Sequence, residues 1–348
     1  MKLLVQGSPL AVLPHYLAET GTLHAPTLQG LLGLLGEGAR ALDLTGLRQY
    51  FDRHPDGERT CFQWAKLLPA GSDLYLDQDQ LQVCQRGLLE PPTGPLLPLL
   101  EQVMSELLAR HPRMVVALSG GLDSALVLAL VQRLAQRPVP VVTLATRLPG
   151  YCELEQTLTT ARLLGVDSVE IIEVSPEELI ATLPAAIEAC ETPLFNLHPV
   201  ARLLLARAVA QRGHAAILTG DGADQVFSAA DGKNYLPIVG SMVRAAGLTF
   251  LSPFFDERIA GWSRNHGADP EKKALRQAAS AILPAATAWR KKSPRFAPDF
   301  ELSHYRDSRL ESQLAPRLGL TPPDFNPGPE PTLWATTAIL ARHLGGTC

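Results

Sequence analysis

This sequence of 348 residues has no surplus of positive charge: 31 Lys and Arg stand against 35 Asp and Glu, a formal net charge of −4. A protein that coats nucleic acid neutralises phosphates with Lys and Arg, so no nucleic-acid partner is expected. No stretch approaches the roughly 20 continuous apolar residues that span a bilayer. The opening Met1-Lys2-Leu3-Leu4-Val5-Gln6-Gly7 turns polar before it could form a signal-peptide core. A soluble, cytoplasmic protein without a membrane partner is the expectation. The cysteines Cys61, Cys84, Cys152, Cys190 and Cys348 lie far apart, without the close spacing of a zinc ribbon or a redox pair. They read as reduced, small hydrophobes with no metal or nucleophilic task.

What the chain does have is apolar material. At 46% hydrophobic and 19% charged it has the composition of a compact globular protein. Its length accommodates about two domains at roughly 150 residues each. Two proline-rich stretches, 89–95 and 321–331, interrupt it, because proline cannot continue a helix and denies a ladder its donor. They set off a head (1–94), a body (95–320) and a tail (321–348). In the head, 42–51 reads as a helix and 73–83 as a hairpin. In the body, short β-branched runs at 114–118, 139–145, 169–174 and 215–219 read as buried strands. Between them 124–136, 154–164, 176–189 and 199–212 carry helical spacing. Strands alternating with helices require crossovers, so the expected fold is α/β, a doubly wound, mostly parallel sheet. From 236 to 283 the strand signal stops and helices follow one another, which predicts an added helical half. A last helix is expected at 333–344.

The first body strand runs into Ser119-Gly120-Gly121-Leu122-Asp123-Ser124 and then an apolar helix. Two glycines let the backbone approach a ligand, and the helix start offers unpaired N–H groups and the positive end of its dipole. Such a turn binds an anion. Asp123 would repel phosphates unless a cation stood between them, and magnesium is the simplest candidate because it binds through one or two carboxylates plus phosphate oxygens. The turn lacks the lysine with which a P-loop grips β- and γ-phosphates, so γ-phosphoryl transfer is not the expected chemistry.

This hexapeptide resembles the Ser-Gly-Gly-x-Asp-Ser signature of the PP-loop ATP pyrophosphatases. The resemblance implies cleavage of ATP between the α- and β-phosphates. Farther on, Gly220-Asp221-Gly222-Ala223-Asp224-Gln225-Val226-Phe227 is similar to the Gly-Asp/Glu-Gly-x-Asp-Glu-x-Phe segment of the asparagine synthetases. Leu251-Ser252-Pro253-Phe254-Phe255-Asp256, Lys272-Lys273-Ala274-Leu275-Arg276 and Trp289-Arg290-Lys291-Lys292 resemble later motifs of that family, so the likeness extends over about 95–300. It implies ATP bound by Leu118, Ser119, Gly120, Gly121, Leu122, Asp123, Ser124, Leu144, Gly220 and Gly222. It also implies magnesium (Mg2+) between Asp123 and Asp224, with Asp221 near the reacting carbonyl. Lys292 becomes the functional lysine and Lys272 a holder of pyrophosphate. Two positions depart from the pattern: Gln225 replaces a Glu, and Ser228-Ala229 stands where Gly-Gly is common.

Asparagine synthetases that use glutamine open with a glutaminase whose nucleophile is a cysteine exposed after Met removal, and here Lys2 occupies that place. The head is also short, although Arg59-Thr60-Cys61-Phe62 and Leu68-Pro69-Ala70-Gly71 resemble the last part of that domain. A truncated remnant that packs on the synthetase part is therefore expected, with the amine supplied from outside or by the substrate. This favours relatives such as β-lactam synthetases and lasso-peptide cyclases. In the β-lactam branch a catalytic Tyr is kept where Ala185 stands here. The expected partners are a small-molecule or peptide carboxylate and an amine. Arg147 to Tyr151 and Glu191 to His198 are further candidates for substrate contact, with His198 as a possible base. A tRNA-modifying PP-loop enzyme and a non-catalytic nucleotide-binding scaffold remain as alternative readings.

Overall fold

The computed structural model describes residues 1–86, 90, 92–148, 152–228, 234–290, 300–320 and 331–347. The head holds two small antiparallel sheets. Strand β1 (Lys2–Val5) pairs with β5 (Ser72–Asp77), which forms a hairpin with β6 (Gln80–Gln85), as the spacing predicts. Strands β2 (Tyr16–Ala18), β3 (His24–Ala25) and β4 (Ala65–Leu67) make the second sheet. Helices α1 (Leu28–Leu35) and α2 (Leu44–Phe51) complete the head; Asp43 caps α2 by accepting from the Thr45 N–H at 2.9 Å.

The body opens with α3 (Leu96–Arg110) and then alternates: β7 (Met114–Ala117), α4 (Leu122–Leu134), β8 (Val141–Thr146), α5 (Leu154–Leu163), β9 (Glu170–Val174), α6 (Pro176–Cys190), α7 (His198–Gln211) and β10 (Ala216–Leu218). The four predicted strands and four predicted helices lie within three residues of their expected bounds. After α8 (Leu236–Ala245) the structure departs from the expectation, because β11 (Thr249–Leu251) is a fifth strand inside the segment read as purely helical. Three residues on a sheet edge, graded from exposed to buried, are too few to show a period. Helices α9 (Glu257–His266), α10 (Lys273–Ser280), α11 (Ala285–Ala288) and α12 (Ser308–Arg317) follow, and α13 (Pro331–Leu344) supplies the expected last helix.

The central sheet has the order β11-β10-β7-β8-β9, parallel throughout. Helices α4 and α5 cross on one face, where Leu126, Leu128 and Leu130 are fully buried with Val116 and Leu118. Helices α6, α7 and α8 cross on the other, where Leu183, Val200 and Met242 pack with Val115 and Ile217. Each such leucine removed from water contributes about 1.5–3 kcal/mol, so the sheet is fixed from both sides. The winding reverses between β7 and β10, and ligands of such sheets bind where neighbouring strands end at that reversal. The Ser119–Ser124 turn and the Gly220–Gln225 loop stand there.

Head and tail close on one another. Arg40 donates to the Leu344 carbonyl, Thr347 bridges to Ala41, and the Phe51 and Trp334 rings lie 4.6 Å apart. Buried Glu191, after α6, accepts from the Leu28 and Gln29 N–H groups at 2.6 and 2.7 Å, so a body carboxylate caps head helix α1. The prolines at 322, 323, 327 and 329 lie outside the described residues. Cys61 and Cys190 are buried free thiols, and burial pushes Cys190 up to about 12, which keeps it protonated. Among the described residues no helix is long and apolar enough to cross a membrane.

Candidate active site

The Ser119–Ser124 turn is held by its own hydroxyls. Ser124 Oγ lies 2.9 Å from Ser119 Oγ, accepts from the Ser119 N–H at 3.1 Å and donates to the Ser119 carbonyl at 3.0 Å. Helix α4 begins at Leu122, so its first N–H groups and positive dipole end open onto the turn. Gly121 is exposed there and Asp123 partly so, whereas Ser124 is buried. Leu118, 3% exposed, lies in the core and gives its N–H to the Val142 carbonyl at 2.9 Å. Leu144 sits in mid-strand on β8 and packs with the cluster on the α6–α8 face, opposite to Leu118.

The second loop touches the first. A Cβ at Gly220 would come within 2.6 Å of the Asp123 carbonyl carbon and the Ser124 nitrogen, so only glycine lets the two strand ends meet. Gly222 has φ +96°, a backbone state that residues with a Cβ rarely adopt. Asp224 opens a π-helical turn, Asp224–Ser228, a geometry that is frequent at functional sites.

From these elements Asp123 and Asp224 converge on one point. Lys272 Nζ lies 2.8 Å from Asp123 Oδ2 and 2.6 Å from Asp224 Oδ1, and the lysine is 8% exposed. Burial by itself would lower the Lys272 pKa; the two carboxylates outweigh it and hold the pKa above the usual lysine value. An ammonium thus stands where two acids share a cation, and this donor set fits magnesium. Among the described residues no cluster of three or more His, Cys, Asp or Glu could hold a metal. Two carboxylates alone match the way Mg2+ leaves positions for water and phosphate oxygens.

Asp221 is not the third member of this point. Its Oδ2 lies 2.9 Å from Arg202 Nη2 on α7, an ion pair without hydrogen-bond alignment, and Ser252 Oγ holds its carbonyl at 2.7 Å. Separating Asp221 from the other two acids avoids the repulsion three convergent charges would cause. Tyr235 is 43% exposed as a residue, and its phenol oxygen is within electrostatic reach of Asp221 and Asp224. Burial of that oxygen first, and those carboxylates next, raise its pKa well above the ordinary value. Neither Arg202 nor Tyr235 stands out in the sequence. The one available signal is the first of two arginines, four positions after His198, in a largely apolar helix.

Other expected residues are dispersed. Lys292 and Tyr151 lie outside the described residues, as does Ala229. Arg147 pairs with Glu173 at 2.8 Å on the surface. His198 starts α7, its N–H bonded to Asn196 Oδ1 at 3.0 Å. Ala185 packs against the core. Gln225 Oε1, where the family pattern has a carboxylate, is buried and accepts no hydrogen bond among the described residues.

Residues 96–240 match the family model "Asparagine synthase". Amidase chry2 of Gibberella zeae is 32% identical over 147 residues, 38% of this chain and 22% of the relative. Amidase chyE of Penicillium rubens is 31% identical over the same shares. The match thus spans about a fifth of the length of these curated relatives. Among solved structures, the NH3-dependent NAD synthetase of Campylobacter jejuni aligns with TM-score 0.38 and 15% identity, over 73% of this chain and 94% of that one. The NMN synthetase of Francisella tularensis aligns with TM-score 0.34 and 13% identity, over 72% and 84%. The turn, the second loop and the strand reversal between them all fall inside the segment, residues 96–240, that matches the asparagine synthase family model.

Proposed function

We propose that this protein is an ATP-dependent amide-bond-forming ligase that adenylates a substrate carboxylate, releases pyrophosphate and lets an amine displace AMP, without hydrolysing glutamine. One observation carries the reading: two carboxylates from neighbouring strand ends, Asp123 and Asp224, converge on a single cationic point beside a turn rich in N–H and hydroxyl donors. The two amidase-named relatives have names that concern the same carbon–nitrogen bond.

In this reading the start of α4, with the Ser119 and Ser124 hydroxyls, binds the phosphates of ATP, and the helix dipole favours their charge. Asp123 and Asp224 would hold Mg2+, which supplies neutralisation of the departing pyrophosphate. Lys272 adds a fixed positive charge at the same place, preorganised by its two carboxylates. The substrate carboxylate attacks the α-phosphorus and becomes a mixed anhydride with AMP. The amine then attacks the acyl carbon, and the tetrahedral oxyanion collapses with loss of AMP and of one proton from nitrogen. Lys292, by its place in the motif, is the residue assigned to that oxyanion. Where acid and amine belong to one molecule the second step closes a ring, and holding them together replaces a bimolecular encounter.

A pyrophosphate-exchange assay over a panel of carboxylates tests this. The expected result is exchange into ATP that depends on a carboxylate, with AMP and never ADP as product when an amine is added, and loss in Lys292→Ala and Asp123→Asn. ADP and phosphate as products would overturn it.

A further inference from the structure

We propose that Gln156 and Arg290 are positioning residues that lock the Gly120–Gly121 peptide with its carbonyl turned outward, so that the Gly121 N–H is presented to the triphosphate. The inference rests on the nucleotide reading above and adds what orients the turn.

Gln156 Nε2, from α5, donates to the Gly120 carbonyl at 2.6 Å, and Arg290 Nη1 donates to the same oxygen at 3.1 Å. Two donors from separate parts of the chain thus converge on one backbone oxygen. Both are themselves held. Arg290 Nη1 also lies 3.1 Å from Thr160 Oγ1, one helical turn beyond Gln156, and Thr160 Oγ1 donates to the Gln156 carbonyl at 3.0 Å. Arg276 Nη1 donates to the Ala288 and Arg290 carbonyls at 2.8 and 3.1 Å, which fixes the backbone that carries the guanidinium.

A trans peptide is planar, and its C=O and N–H point in opposite directions. Drawing the Gly120 oxygen toward Gln156 and Arg290 therefore aims the Gly121 N–H away from them. That N–H makes a long bond, 3.4 Å, to Ser119 Oγ, and Gly121 is exposed. A phosphate oxygen is a stronger acceptor than the hydroxyl and would take that hydrogen bond over. With the two donors removed, glycines on both sides leave the peptide free to turn over, and a carbonyl oxygen facing the phosphates would repel them. The Arg290 charge adds attraction for the anion without touching it.

The test compares α,β-methylene-ATP with AMP by calorimetry, on wild type, Gln156→Leu, Arg290→Met and the double variant. Each single variant is expected to bind the triphosphate analogue about tenfold more weakly, the worth of one hydrogen bond, and the double variant about 100-fold more weakly, with AMP changed far less. Gln156→Glu keeps the shape but turns a donor into a charged acceptor facing the Gly120 carbonyl, so it should weaken binding at least as much as leucine does. Folded variants that bind the analogue as wild type does, or that lose AMP equally, would overturn the proposal. Wild type that binds no analogue would overturn the proposed function as well, so the two failures are distinct.

Discussion

Asp224 Oδ1 lies 2.6 Å from Lys272 Nζ, and the same ammonium reaches Asp123 at 2.8 Å, so one buried lysine clasps the start of α4, the π-helical turn and the start of α10. Removing one partner of a buried ion pair commonly costs 3–5 kcal/mol. The carboxylate side chains here are 26% and 37% exposed, which reduces the expectation to about 2 kcal/mol. Urea unfolding of Lys272→Met should show that loss. Mg2+ should restore more stability to the variant than it adds to wild type, because the Lys272 ammonium no longer competes with it for Asp123 and Asp224. No loss of stability in the variant would mean that Lys272 does not hold these elements together.

The clasp has a pH signature of known sign. The folded-state pKa of Lys272 is raised above 10.5, since the carboxylates outweigh burial. A raised pKa means stabilisation that is complete below the unfolded value and is lost as pH rises through the folded one. The stability difference between wild type and Lys272→Met should therefore be flat across the neutral range and close only above pH 10.5. A difference that closes below neutrality would contradict the assignment.

Glycine substitution separates two kinds of position. Gly220→Ala would drive a methyl to 2.6 Å from the Asp123–Ser124 peptide, and backbone cannot step aside as a side-chain tip can. A cost of about 2–3 kcal/mol is expected, with nucleotide binding lost as the two loops part. Gly33→Ala, inside α1 with nothing within 4 Å of the added methyl, should gain about 0.5–1 kcal/mol. Thermal melts of both variants would check the pair.

These positions also show what the sequence makes legible. The strand–turn–helix at 114–134 is readable because a short run of Met, Val and Ala gives way to two glycines and then to an apolar helix. Asp123 and Asp224 follow from the same logic of strand ends. Edge strand β11 was not readable, since three residues carry no period. The diversion of Asp221 to Arg202 was not readable either: the two residues are 19 positions apart and meet only because α7 crosses back over the sheet. Gln156 acts on Gly120 across 36 positions, through a helix whose pattern says only that it is half-buried.

The Arg202–Asp221 pair can be measured directly. Its side chains are 23% and 12% exposed, so the charges are only partly screened. A double-mutant cycle of Arg202→Met and Asp221→Asn on unfolding free energy should give a coupling of about 1 kcal/mol. A coupling near zero would mean that the approach, lacking hydrogen-bond alignment, adds nothing to stability.

Tyr235 decides whether a phenol can serve as a base in this site. Burial of its oxygen and the charges of Asp221 and Asp224 all disfavour the phenolate, so near neutral pH the hydroxyl is a donor and not a proton acceptor. Tyr16 and Tyr50 are raised for the same first reason, burial. Ultraviolet titration of the six tyrosines should accordingly show at least three that ionise late, while the fold persists. Tyr235→Phe should remove one from the late group and leave the early group unchanged. If the variant instead loses an early phenol, the hydroxyl is closer to neutrality than its surroundings require, and a proton-accepting role would return.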